Sequence, residues 1–357
     1  LQEQHNVKRT RQSPEALAET KLREKSKIDE YLALTDDVLS RKKKPDWSED
    51  AFQLTQSLLQ INPEFYTVWN YRRNILLNGI FPQSAPEEIN SLLSNELSMT
   101  TAALKAHPKV YWIWNHRSWC LENVPDGPER NGIPSMEWRQ ANWDKELFVV
   151  ERMLDADARN FHAWNYRRYV LANMPTRRNE TSELTYTSRK IGANFSNFSA
   201  WHQRSKSLVV LWESGQLDPV QSKDEEFELV SNALYTDPDD QSAWIYHRWL
   251  IGSGGNKEQL EREIQVITEL LQEQPDSKCK RPCWIIVSST YCSTGSMESL
   301  VHYKRLLLQN HSPDSQALKQ ECVELLSRLM DLDPIRYFRY RDLSESLVRK
   351  RTDVLIF

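Results

Sequence analysis

Glycine is scarce in this chain, with nine among 357 residues, and cysteine is scarcer still at five. So little glycine disfavours tight hairpins and leaves no glycine-rich loop to cradle a phosphate. The cysteines, Cys120, Cys279, Cys283, Cys292 and Cys322, are odd in number and lack a disulfide rhythm, which fits a reducing, cytoplasmic setting. Cys279 and Cys283 are followed by no histidine pair at ligand spacing, so no zinc site is expected within this chain. A nucleophile elbow and an HExxH helix are missing too. No apolar run reaches the length of a membrane span. The basic opening lacks the apolar core of a secretory signal, and the closing "DVLIF" carries no prenylation box. A net charge of -4 gives no general pull toward nucleic acid or membranes.

Tryptophan, by contrast, is abundant at 13. Five phrases explain much of it: "NPEFYTVWNYRRNIL" (62–76), "HPKVYWIWNHRSWCL" (107–121), "DARNFHAWNYRRYVL" (157–171), "NFSNFSAWHQRSKSL" (194–208) and "DPDDQSAWIYHRWLI" (237–251). A worn copy near 333–343 has Tyr340 in the tryptophan's place. Trp69, Trp114, Trp164, Trp201 and Trp244 are separated by 45, 50, 37 and 43 residues. Self-similarity at a near-constant period marks stacked supersecondary units.

Each phrase reads as a helix. Asn62, Asp157 and Asp237 are expected N-caps, with Pro63, Pro108 and Pro238 at the first helical position. Tyr66, Tyr111, Phe161 and Phe198, three residues before tryptophan, join it and the residue seven later in an expected buried stripe. A second apolar-periodic segment precedes each phrase, so the unit is a helical hairpin. About six or seven such pairs would stack as an all-α, right-handed or crescent-shaped solenoid. The expected organisation is a basic arm over 1–30 and one helical-repeat domain over 31–357. Tryptophan would plug the seam between pairs. Arg72, Arg117, Arg167 and Arg204, three residues on, would bond carbonyls or carboxylates of a neighbouring unit. The fifth copy has His247 there. "RKKK" (41–44) and "IGSGGN" (251–256) read as loops, and 123–138 as a Pro/Gly-rich insertion.

The recurring W-N-x-R-R phrase resembles the prenyltransferase α-subunit repeat. The period and the missing small-residue positions are unlike tetratricopeptide repeats. "RNFHAWNYRR" (159–168), "NFSNFSAWH" (194–202) and "DPDDQSAWIYHRWL" (237–250) are similar to the Rab-directed, type II branch of the family. That resemblance implies a heterodimer in which the zinc and most of the isoprenoid pocket belong to a β subunit. The reaction would be transfer of geranylgeranyl from geranylgeranyl diphosphate to C-terminal cysteines of Rab GTPases presented by an escort protein. It also implies a place for Arg159 beside the diphosphate, with Phe161 on the same lip. His5, on the basic arm, is a weaker candidate to reach the partner's zinc. The acidic "SKDEEFE" (222–228) is a candidate escort contact. Two alternatives stay open: the α subunit shared by farnesyltransferase and the type I enzyme, and a non-catalytic helical scaffold.

Overall fold

A computed structural model describes residues 13–130, 132–273 and 294–348. His5, Cys279, Cys283 and Cys292 lie outside the described residues. The fold is all-α apart from one short β-hairpin among the described residues. The chain divides into two compact units, residues 1–177 and 178–357, at a boundary between repeats.

The first unit opens with α1 (Pro14–Lys43), a long, largely exposed helix that runs through residue 30. Three hairpins follow: α2 (Glu49–Ile61) with α3 (Tyr66–Ile75), α4 (Pro86–Ala106) with α5 (Tyr111–Glu122), and α6 (Glu137–Ala156) with α7 (Phe161–Asn173). The insertion after α5 forms antiparallel strands β1 (Gly127–Arg130) and β2 (Ile133–Ser135), with Gly127 opposite Ser135. A π-helical turn, Leu76–Ile80, extends α3. A Cβ on Gly79 would meet the Trp47 carbonyl oxygen at 2.3 Å, so this turn requires glycine.

The second unit pairs α8 (Glu180–Ala193) with α9 (Phe198–Glu213), and α10 (Pro219–Thr236) with α11 (Gln241–Ile251). Then come α12 (Lys257–Glu273) with α13 (Thr294–Asn310), and α14 (Gln316–Leu332) with α15 (Tyr337–Val348). Met297, Val301, Leu326, Leu329 and Tyr340 form a buried cluster in its last part, with Tyr340 in the expected tryptophan register.

The turns correct one expectation. Asn62, Asp157 and Asp237 end the first helix of a pair instead of starting the second. Their side chains accept from the backbone N–H two residues on, at Glu64, Arg159 and Asp239, as does Asn194 from Ser196. This is the Asx-turn, available to Asn and Asp because their oxygen mimics a backbone carbonyl. The caps of the second helices fall three residues later: Asn160, Asn197 and Asp240 accept from the first-turn N–H groups of α7, α9 and α11.

Candidate functional site

All five tryptophans are buried, none more than 4% exposed. Each indole N–H donates to the carbonyl six residues earlier: Trp69 to Pro63 at 2.9 Å, Trp114 to Pro108 at 3.1 Å, Trp164 to Ala158 at 2.9 Å, Trp201 to Phe195 at 2.7 Å and Trp244 to Pro238 at 2.7 Å. The ring thus ties its own turn shut, a job phenylalanine cannot do because it has no donor. It also packs on the next repeat: Trp69 on His116 (4.8 Å between centroids), Trp114 on Tyr166 (4.9 Å) and Trp201 on Tyr246 (4.6 Å).

Three residues on, a buried guanidinium grips two hairpins at once. Arg72 donates Nε and Nη2 to Glu96 of α4 at 2.7 and 2.6 Å, and Nη1 to the Phe52 carbonyl and Thr55 of α2. Its guanidinium lies 3.6 Å from the centre of the Phe52 ring. Arg117 repeats the pattern with Glu146 of α6 at 2.7 and 2.6 Å, and with the Leu97 carbonyl and Thr100. Arg204 does so with Glu226 of α10, both bonds at 2.6 Å, and with the Leu184 carbonyl and Thr187. Arg167 donates to Glu151 at 2.9 Å. In the fifth copy His247 takes over, with Nε2 at 3.0 Å from Glu263 and Nδ1 at 2.7 Å from the Tyr303 hydroxyl.

The glutamates of these clamps are the residues that reading the phrases alone misses. Their signal is legible in hindsight. A glutamate precedes an apolar residue in the first helix of four later pairs: Glu96-Leu97, Glu146-Leu147, Glu226-Phe227 and Glu263-Ile264. The first pair has Ala51-Phe52 instead, and no arginine-bearing phrase comes before it. The segment 222–228 divides accordingly. Glu226 and Phe227 are buried, while Asp224 is exposed and pairs with Arg262 at 2.6 Å.

Burial alone would raise the Glu96 carboxyl, but the hydrogen bonds and charges of Arg72 and His116 hold it down to about 2. Burial pushes His116 down to about 4, against the pull of Glu96. Arg73 Nε donates to His116 Nδ1 at 3.3 Å, so the ring's remaining proton sits on Nε2 and goes to Glu96 at 2.9 Å. Burial also opposes the charge on Arg117, yet Glu146 outweighs it and raises the guanidinium pKa.

The turns carry a different set. Tyr66, Tyr111, Phe161 and Phe198 are between 45% and 55% exposed, so they do not join the buried stripe. Tyrosine and phenylalanine three residues before tryptophan open the second helix, where they project from the turn instead of into the seam. In the first unit they form an aromatic rim. Tyr66 lies 5.2 Å from Trp112, Tyr111 packs edge-on to His162 at 4.5 Å, and Phe161 lies 3.9 Å from the same imidazole. Arg159 is exposed on the third turn, beside Phe161. Lys109 is exposed at the same register of the second turn, and it too was missed in the sequence. Asn160 binds the two turns by donating Nδ2 to the Pro108 carbonyl at 3.1 Å. Burial, then the Lys109 charge, lowers the His162 pKa. Two cations beside an apolar lip can receive an anionic head with a hydrophobic tail. Among the described residues, no group of histidine, cysteine and acidic side chains is arranged to hold a metal ion, and no helix is long and apolar enough to cross a membrane.

A helical-hairpin array with a tryptophan-locked turn and an arginine–glutamate clamp is the build of a repeat protein whose turns present a surface. The protein prenyltransferase alpha subunit repeat model matches residues 48–79, 93–124, 143–174, 181–208 and 223–253. The geranylgeranyl transferase type-2 alpha subunit of Schizosaccharomyces pombe is 36% identical over 370 aligned residues, spanning 96% of this chain and 98% of the relative. That of Saccharomyces cerevisiae is 32% identical, spanning 96% and 99%. The fold matches Candida albicans protein geranylgeranyltransferase-I complexed with GGPP, with a TM-score of 0.63 at 23% identity over 90% of this chain and 91% of that one. The chain belongs to the family of geranylgeranyl transferase type-2 alpha subunits.

Proposed function

We propose that this chain is the α subunit of a heterodimeric protein geranylgeranyltransferase of type II. In this reading it works with a β subunit that holds the zinc and most of the isoprenoid pocket. The substrates are geranylgeranyl diphosphate and Rab GTPases presented by an escort protein, and the setting is the cytoplasm. The observation that carries the reading is similarity along almost the whole length of two fungal type-2 alpha subunits. The described residues offer no donor set for a metal.

What this chain's residues contribute, in the proposal, is at the rim. Diphosphate departs as an anion, and fixed positive donors near it lower the barrier because its charge grows as the bond breaks. Arg159 and Lys109 supply two such charges on adjacent turns. Tyr66, Tyr111 and Phe161 supply apolar surface beside them. Co-expression with a β subunit, followed by prenyl transfer to a Rab protein with and without escort protein, tests the reading. Escort-dependent transfer and zinc recovered with the β subunit are expected. A chain that remains alone, or a complex that alkylates no thiol, would reject it.

A further inference from the structure

The last part of the second unit holds more positive charge than its partners neutralise. A cavity of about 240 Å³ is lined by Trp244, Ile245 and Arg248 of α11, Glu298 of α13, Arg336 of the turn before α15, and Arg339 of α15, among others. A smaller neighbour of about 70 Å³ shares Arg248, Glu298 and Arg339 and adds His302 and Arg305. One carboxylate, Glu298, serves most of this cluster. It accepts from Arg336 Nη1 at 2.7 Å and from the Tyr340 hydroxyl at 2.6 Å, and it stands 3.8 Å from Arg248. Arg336 also pairs with Asp333.

The remaining guanidiniums are poorly supplied. Arg248 donates one Nη2 hydrogen bond to Ser299 at 3.2 Å, while its Nε is buried without an acceptor. An N–H buried in this way has given up water without gaining a partner, so it favours an acceptor brought to it. Arg339 and Arg305 make no hydrogen bond or ion pair among the described residues. Between them the two cavities are lined by four guanidiniums, Arg248, Arg305, Arg336 and Arg339, and two carboxylates, Glu298 and Asp239. The crowding is felt by His302, whose pKa is lowered by burial and by the charges of Arg248 and Arg305. Guanidinium groups present paired, planar donors that match the oxygens of phosphate and carboxylate. The larger cavity is below the usual size of sites for drug-sized ligands, so its guest is small.

We propose that Arg248, Arg336 and Arg339 form a binding site for a small oxyanion, of the kind presented by phosphate, diphosphate or a carboxylate. The site uses none of the rim residues and stands whether or not the proposed reaction does. The oxyanion has two possible sources: a free anion, or an acidic side chain of a partner subunit.

The test titrates the full-length chain with inorganic phosphate and with diphosphate at constant ionic strength, read by calorimetry. Saturable binding is expected, weakened at least tenfold by Arg339→Gln. Arg339 is exposed, so this change should leave the fold intact. Arg305→Gln removes an equal charge from the smaller neighbouring cavity and should weaken binding less than twofold. No saturable binding overturns the site, and so does an equal loss in both variants, which would mean unspecific attraction. The same titration on the chain assembled with its β subunit separates the sources. Retained binding identifies a free anion. Binding lost on assembly, with Arg339→Gln making the assembly more salt-sensitive, identifies a partner carboxylate.

Discussion

Two registers of the same repeat behave in opposite ways. Three residues after each tryptophan, the chain repeats itself: Arg72, Arg117, Arg167 and Arg204, with His247 alone departing. Five residues before it, the chain varies without restraint: Glu64, Lys109, Arg159, Ser196 and Asp239. The first register is buried and closes hairpin on hairpin. The second lies on the turns, outside the seam between hairpins. What recurs in a solenoid is what stacks it, because every copy faces the same packing problem. What differs between copies is free to answer to a ligand or partner. Lys109 and Arg159 are the two cations in that freer register.

The largest test of this contrast removes a clamp. Arg117 is fully buried and bonded to Glu146, Leu97 and Thr100. Arg117→Ala strands the Glu146 carboxylate in the interior, and breaking such a pair costs about 3–5 kcal/mol. A denaturant midpoint that falls accordingly, with the loss reduced when Glu146→Leu is added, is the expected result. An unchanged midpoint would mean the clamp is idle.

The rim should respond in the opposite sense. Lys109→Ala with Arg159→Ala should leave the unfolding midpoint of the heterodimer within its error, since both side chains are exposed. Prenyl transfer should nevertheless fall about 100-fold, equivalent to about 2.7 kcal/mol of barrier. Restoration by Lys109→Arg with Arg159→Lys would show that charge matters more than shape. Unchanged turnover in an intact heterodimer would return both residues to ordinary surface.

How much of this was legible follows from the same contrast. The repeat was, because tryptophan and arginine at fixed spacing are rare enough to stand out by eye. Their acceptors were not. A glutamate in a helix usually marks a solvated face, and only the distance of 20 to 30 residues to its arginine shows Glu96 or Glu146 to be interior. Helical spacing extends the stripe to Tyr66, Tyr111, Phe161 and Phe198, which the fold leaves half exposed, because spacing says only which residues share a face. It does not say where along the helix the neighbour stops. The caps are ambiguous for a related reason: Asn62 and Asp157 suit a helix start and an Asx-turn equally well, and sequence gives no distance between the two helices. At the rim, Arg159 was singled out by the resemblance alone. Nothing in the sequence pairs Lys109 with it; the link is the Asn160 side chain, which donates to the Pro108 carbonyl.

A finer comparison sets the first clamp against the second. Glu146 answers to Arg117, whereas Glu96 answers to both Arg72 and His116. His116 therefore makes the first clamp sensitive to pH on the acidic side of 6.5. Its pKa falls to about 4 in the fold from an ordinary 6.5, chiefly through burial, so the unfolded chain takes up a proton that the folded chain refuses. Stability is then lost progressively as pH drops from 6.5 to 4 and flattens below. Glu96 adds a second loss from about 4.5 down to about 2, where the carboxylate that Arg72 holds is finally protonated. Unfolding midpoints measured between pH 7.5 and 4.5 should decline smoothly. His116→Gln, which keeps a donor for Glu96 but cannot titrate, should flatten the upper part of that decline. A variant that tracks the parent across the whole range would mean the proton is being taken up elsewhere, and the two clamps would then be electrostatically alike.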